Sequence, residues 1–534
     1  MTTTGYDYII IGAGSAGCVL ANRLSADPAA RVLLVEAGRN DRDLMLHVPG
    51  LSIRNSTTPL FNWSYATEPE PTLGDRRMFW AQGKAIGGSS AINGMIYARG
   101  VPREYDAWRD VAGCTGWGFD DVLPYFRKSE HSDRGANHWH GASGELRVSR
   151  GRPDLGIANR VLDAAAEDGF TILDDFNTNE NEGFGHYDVT IGNGVRSSTA
   201  TAFLRPARRR GNLEVLSDTL ATKLLFTGDR ATGVELVANG QARTVTADRE
   251  IILSGGAVGS PHLLMLSGIG PADHLKSLGI AVRQDRPEVG ANLQNHVSYR
   301  LSYAVSEPIT AFKYVNPAGM LKAGIDYIFL RRGVLADSVV PTGGFFRTES
   351  GLDVTDVQVQ VGVGLMGRPG GTVMQRLPKE HGFSLGVNQG RPWSRGTVRL
   401  KSTDATQHPA ISPNYFSDGR DLEVLLKGVE RMRSLAARPA LAKIITRELD
   451  AAASSSRADL EASIRKRAGT AFHPVGTCRM GSDDAAVLDP QLRVRGVDGL
   501  RVADASAIPL LMNANTNAAA IMMGERAAAL ILAS

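Results

Sequence analysis

The stretch Tyr6-Asp7-Tyr8-Ile9-Ile10-Ile11-Gly12-Ala13-Gly14-Ser15-Ala16-Gly17 decides the fold. Residues 7–11 are a short β-branched and aromatic run, which predicts a buried strand. A Gly-rich turn follows, then an apolar helical pattern to Leu24, then Arg31-Val32-Leu33-Leu34-Val35-Glu36 as a second strand. Strand, turn, helix and strand make a βαβ unit. In Gly12-x-Gly14-x-x-Gly17 each glycine has a task. Gly12 permits the tight turn, Gly14 lets backbone approach a pyrophosphate, and Gly17 lets helix and strand pack closely. The helix N-terminus offers free N–H groups and the positive end of its dipole to phosphates. Glu36, 24 residues after Gly12, is placed to accept hydrogen bonds from ribose hydroxyls, which favours FAD or NAD over NADP.

Working outward, the whole chain has 534 residues, 59 Lys+Arg against 56 Asp+Glu, and a formal net charge of +3. Hydrophobic residues are 43% and charged residues 22%, ordinary globular values that exclude a disordered or collagen-like chain. The charge carries no footprint for nucleic acid. Cys18, Cys114 and Cys478 have no metal-ligand spacing and cannot all pair, so neither a metal site nor a disulfide scaffold is expected. The unusual number is 59 glycines, about one residue in nine against roughly 7% in average usage. The opening Met1-Thr2-Thr3-Thr4-Gly5 has no basic and apolar leader pattern, and no run of about 20 apolar residues occurs. The expectation is a cytoplasmic protein, with peripheral contact at the inner membrane left open. No pattern sets an oligomeric state.

The glycines sit at element junctions. Leu155–Asp168 reads as an amphipathic helix. Short strands are expected at 213–216, 221–227, 233–238, 242–247 and 250–253, then a helix near 261–267. Residues 296–305, 355–363, 381–389 and 396–401 read as strands of a separate antiparallel sheet. Helices are expected at 422–437, 457–467 and 517–532, with a short buried strand at 499–504. Four further motifs stand out. Gly83-Lys84-Ala85-Ile86-Gly87-Gly88-Ser89-Ser90-Ala91-Ile92-Asn93-Gly94 can turn backbone N–H groups onto a flat or anionic group. Gly255-Gly256-Ala257 leads on to Gly268-Ile269-Gly270. Phe472-His473-Pro474-Val475-Gly476-Thr477-Cys478-Arg479-Met480-Gly481 follows much later. The last is Asp504-Ala505-Ser506 with Asn513-Ala514-Asn515-Thr516-Asn517.

Together these motifs resemble the glucose–methanol–choline (GMC) oxidoreductases, FAD-dependent alcohol-oxidising flavoproteins. The resemblance runs through essentially the whole chain and is nearest the bacterial choline, aliphatic alcohol, L-sorbose and polyethylene glycol dehydrogenase branch. It implies an α/β Rossmann-like FAD-binding domain (1–155, 205–295 and 468–534) interleaved with a substrate-binding domain (156–204 and 296–467) built on an antiparallel sheet with helices.

The resemblance implies His473 as the general base facing flavin N5 and the substrate hydroxyl; an imidazole suits that task because its pKa lies near working pH. It implies Asn517 as the hydrogen-bonding partner. An N-cap role is equally open to Asn517, and the two are compatible. FAD contacts are implied at Gly12, Gly14, Ser15, Ala16, Gly17, Glu36 and Ala37. Further contacts are implied at Gly83, Gly87, Gly88, Ser89, Asn93, Gly94, Thr222, Asp504, Ala505, Asn517 and Ala518. Some relatives attach FAD through a His before the Asn of the second motif; Ile92 stands there, so non-covalent FAD is expected. Asn295 in Val289-Gly290-Ala291-Asn292-Leu293-Gln294-Asn295-His296 departs from the usual Asp of relatives.

The substrate side is expected from the antiparallel sheet and segment 310–346, where Phe312, Tyr314, Tyr327, Phe329, Phe345 and Phe346 form either core or lid, or else an apolar substrate or membrane surface. A mobile loop over the site or a plain surface connection is expected at 362–371. No acidic or aromatic cluster argues for a quaternary ammonium pocket. The expected reaction is oxidation of an alcohol CH–OH group by hydride transfer to flavin, with a quinone or dye-type acceptor. An oxygen-using oxidase, a hydroxynitrile-lyase-like use of the fold and a non-catalytic flavoprotein are the alternatives.

Overall fold

The structure, a computed structural model, describes residues 5–151, 153–365, 379–449 and 456–534. Two large sheets organise it. The first has the order Leu213–Leu216, Val32–Val35, Gly5–Ile11, Gln241–Leu253, Arg230–Ala238 and Thr219–Thr227, with Leu500–Val502 pairing to Gln241–Leu253. Its strands up to Gln241–Leu253, and Leu500–Val502, pair in parallel; the last two form an antiparallel hairpin. Gly5–Ile11 is buried on both faces, with Ile9 and Ile10 fully enclosed, as a central parallel strand requires. Segments 242–247 and 250–253, expected as two strands, are one strand of 13 residues. Its first half pairs with the hairpin and its second half with Gly5–Ile11, so no turn separates them.

The second sheet runs Ile445–Glu448, Val297–Val305, Gly382–Gln389, Val357–Gly362, Thr342–Phe346, Gly183–His186 and Ile172–Leu173, with Gly469–Thr470 also on Val297–Val305. Side chains alternate across it. Tyr299, Leu301, Val359, Val361, Leu385 and Val387 belong to the core shared with Leu425, Val429 and Met432 of helix Gly419–Ala436. Ser298, Arg300, Gln360, Gly386 and Asn388 line a cleft on the other side. Residues 396–401 do not join this sheet. Thr397–Arg399 pairs only with Ala410–Ser412, as a separate ribbon.

Candidate active site

One cleft of about 810 Å³ connects the two sheets. It opens at the carboxyl ends of the parallel strands, where open α/β sheets bind ligands. Gly12 turns at φ +104, and a Cβ on it would lie 2.4 Å from Ser254 O. A Cβ on Gly17 would lie 1.9 Å from Gly12 O. Helix Ser15–Leu24 therefore starts against the strand end, with its N-terminus toward the cleft. Gly88 packs on the same turn; a Cβ there would lie 2.6 Å from the Gly14 Cα. Gly14 differs, since a Cβ on it would meet only Ser254 O at 3.9 Å. Protein contacts do not demand glycine at 14, whereas a ligand close against the backbone would.

Gly12, Gly14, Ser15, Ala16, Glu36, Ala37, Gly83, Gly88, Ser89, Asn93, Gly94, Asp504, Ala505 and Asn517 line this cleft with His473. Gly17, Gly87, Thr222 and Ala518 are not among the lining residues. Gly17 and Gly87 shape the turns beneath it. Thr222 falls at a register shift between Ala221 and Lys223, which turns its Oγ1 onto Glu235 O at 3.3 Å; Thr219, Leu220 and Ala221 line the cleft in its place. Ala518 is buried in the core.

Glu36 accepts from Ala13 N at 2.9 Å and Gly38 N at 2.8 Å. Burial raises its pKa to about 7 against those two bonds. Asp504 accepts from Ser260 Oγ (2.6 Å), Gly256 N (2.8 Å) and Ser506 N (2.7 Å), tying strand Leu500–Val502 to the start of helix Gly256–Leu266. Its pKa is raised by burial, opposed by these donors. Asn93 Oδ1 accepts from Arg196 Nη1 at 2.8 Å and Met95 N at 3.1 Å. That fixes its amide with Nδ2 as the donor left for the cleft.

His473 is buried beside His296, a residue that sequence spacing does not connect to it. His296 Nε2 lies 3.1 Å from Met512 O, and its Nδ1 lies 2.9 Å from His473 Nδ1. A carbonyl oxygen can only accept, so His296 carries its proton on Nε2 and presents a bare Nδ1. His473 must then donate from Nδ1, which leaves Nε2 as a lone pair. Asn515 Nδ2 donates to that Nε2 at 3.1 Å, and Asn515 Oδ1 accepts from Gln358 Nε2 at 2.9 Å. The chain from Met512 O to His473 Nε2 thus leaves the outer nitrogen unprotonated, with its single lone pair held by the Asn515 amide. Burial and the neighbouring imidazole hold His473 well below the usual histidine pKa; burial lowers His296 to about 4.

The asparagine that meets His473 is Asn515 rather than the expected Asn517. Helix Thr516–Leu532 begins after Asn515, whose extended backbone (φ −70, ψ 132) reaches toward His473. Asn517 lies inside the first turn, so Asn515 and not Asn517 is the N-cap; Asn517 lines the same cleft and accepts from Ser15 Oγ at 2.7 Å. Asn295 accepts from His473 N at 2.8 Å and donates to Tyr415 OH at 2.6 Å and Thr470 Oγ1 at 2.7 Å. A neutral amide therefore holds the His473 backbone N–H.

Phe345 and Phe346 are core residues, whereas Phe329 is 76% exposed. Of the loop expected at 362–371, Val363, Gly364 and Leu365 line the cleft, and residues 366–371 lie outside the described residues.

Residues 6–298 and 392–524 match the N- and C-terminal parts of the GMC oxidoreductase family. The chain belongs to this family. It is 41% identical to the alcohol dehydrogenase (acceptor) of Pseudomonas putida, covering 99% of this chain and 96% of that one. It is likewise 41% identical to the mitochondrial choline dehydrogenase of Homo sapiens, over 98% of this chain and 89% of that one. The crystal structure of pyridoxine 4-oxidase from Mesorbium loti superposes with a TM-score of 0.89 at 32% identity and 98% coverage of both chains.

Proposed function

We propose that the protein is an FAD-dependent dehydrogenase of neutral alcohols, with His473 as general base. The carrying observation is the unprotonated His473 Nε2, fixed through His296 and directed to the cleft. The Gly12–Gly17 turn, the close contact of Gly88 with it, and the room above Gly14 fit a dinucleotide. Bound FAD supplies a hydride acceptor at its flavin ring. Gly14, Ser15 and Ala16 would hold its pyrophosphate at the helix N-terminus, Glu36 its ribose, and Asn93 its flavin end. Ile92 stands where covalent relatives have His, which favours dissociable cofactor.

The substrate hydroxyl gives its proton to His473 Nε2 as the carbinol C–H bond breaks. Asn515 Nδ2 yields the Nε2 lone pair to the substrate hydroxyl and turns, with the Asn517 amide held by Ser15, to the oxygen as charge develops there. The buried imidazolium keeps its Nδ1 bond to His296. Among the described residues lining the cleft the carboxylates are Glu36 and Asp504, both at the cofactor end, while Arg300 lines the substrate side. Contrary to the expected absence of an aromatic cluster, Trp63, Tyr65, Phe79 and Phe472 line this cleft and offer ring faces to a cation. Lys84 already lies over Trp63 at 4.4 Å, and among the described residues no carboxylate there supplies a counter-charge, so a neutral alcohol suits the cleft better than choline.

The test is anaerobic bleaching of the flavin by a panel of alcohols including choline, followed by air or a quinone. Neutral alcohols should bleach it, and quinone should restore colour faster than air. His473→Ala should keep its FAD and lose bleaching by at least about 100-fold. Undiminished bleaching in that variant removes His473 from the mechanism, and faster recovery in air makes the protein an oxidase.

A further inference from the structure

Helix Pro317–Leu330 buries only Ala323 and Tyr327. Its Met320, Leu321, Ile325, Ile328, Phe329 and Leu330 are each 47–76% exposed. A surface helix ordinarily sinks its apolar stripe into the core; this one holds its apolar side chains out to water. Patches of this kind mark interaction sites.

The helix stands at the mouth of the cleft. Val315 before it and Val334 after it line that cleft. Gly50 N donates to Leu335 O at 3.0 Å, which brings segment 44–53 alongside. There Leu44 is 78% exposed, and Ile53, 41% exposed, also lines the cleft. Apolar surface therefore flanks the entrance on two sides.

The charge is one-sided. Lys313, Lys322, Arg331 and Arg332 accompany a single acid, Asp326, in residues 311–335. That local excess of three equals the formal net charge of the whole chain. Asp326 takes Lys322 at 2.7 Å and Arg332 at 3.6 Å. Lys313 and Arg331 lie over the rings of Tyr314 and Tyr327, at 5.0 and 4.8 Å, and keep their charge for an outside partner.

We propose that this helix and the 44–53 segment dock the mouth of the cleft onto an anionic lipid bilayer. Apolar side chains enter the acyl boundary while the basic side chains meet the headgroups, as interfacial helices do. Among the described residues no helix is long and apolar enough to cross a membrane, so the attachment is to one leaflet. A second copy of the chain fits less well, because a two-fold contact brings the same patch together twice and so opposes two surfaces of equal positive excess. Apolar alcohols and lipid-soluble electron acceptors would then reach the cleft from the membrane. The binding does not depend on the catalytic reading above.

The test is co-sedimentation of the FAD-loaded protein with vesicles of phosphatidylcholine alone or mixed with phosphatidylglycerol. The wild type should pellet with the anionic vesicles and much less with the neutral ones. Ile328→Glu with Phe329→Glu should weaken partitioning by about tenfold or more. Arg331→Ser with Arg332→Ser should abolish the preference for phosphatidylglycerol. Unchanged flavin absorbance and Tm in both variants establish that the fold is intact. Absence of pelleting, or equal pelleting by wild type and Glu variant, overturns the proposal. So does a dimer that Phe329→Glu converts to monomer without any vesicle binding.

Discussion

Replacing His296 by leucine tests the proton relay directly. In the native arrangement His473 Nδ1–H has one partner, His296 Nδ1 at 2.9 Å, in an edge-on contact with the rings at 89°. Leucine fills the volume and offers no acceptor. His473 then either keeps an orphaned buried N–H or moves the proton to Nε2, where it can no longer accept one from substrate. Orphaning a buried donor costs about 1–3 kcal/mol. At about 1.4 kcal/mol per tenfold in rate, flavin reduction should slow by about 5- to 150-fold. Glutamine can donate to Met512 O and accept from His473, and should recover most of the rate. The assay is anaerobic stopped-flow bleaching across pH. If His296→Leu with full FAD content bleaches at the wild-type rate and pH dependence, the tautomer argument is wrong.

Four further outcomes are expected. Asn295→Asp places a negative charge at the His473 backbone N–H and should raise the imidazole pKa; the acid limb of flavin reduction moves toward neutral pH, and an unmoved limb counts against the contact. Gly17→Ala collides with Gly12 O and should lower stability by about 2–3 kcal/mol. Gly14→Ala, with open space above it, should leave the Tm of the cofactor-free protein unchanged while weakening FAD, as titration by flavin fluorescence would measure. His140, buried with Glu130 at 2.9 Å and Asp175 at 2.8 Å, has its pKa raised to about 9, its burial outweighed by these two carboxylates. Its folded value lies above its unfolded value near 6.5. The stabilisation is therefore full below about pH 6.5 and lost as pH rises through about 9, on the order of 3 kcal/mol. The Tm gap between wild type and His140→Gln should narrow over that window; a constant gap means His140 is not charged.

The parallel sheet was legible because its signals are local. Gly17 answers to Gly12 O within one turn, and alternation along 296–305, 355–363 and 381–389 exposes the second sheet. Asn515 and Asn517 are both quoted in one motif, but only the start of a helix between them decides which faces His473. Thr222 is displaced by a bulge, a one-residue event with no mark in the sequence. His296 is visible only as the end of a Gly- and Asn-rich motif. Its partner lies 177 residues away, and no periodicity links positions so distant. The tautomer of His473 depends further on Met512 O, a backbone atom that no residue type encodes.

The central strand Gly5–Ile11 pairs with Gln241–Leu253, which in turn holds Leu500–Val502. Ser15 meets Asn517 across 502 positions. Contacts this remote in sequence are slow to form and leave unpaired edges in partly made chains. A ribosome-bound chain that already contains Gly12 to Gly17 still lacks the floor, the base and the far wall of its cleft. A complete FAD cleft therefore needs both ends of the chain in place, and any FAD bound there stabilises the folded chain over the unfolded one by mass action.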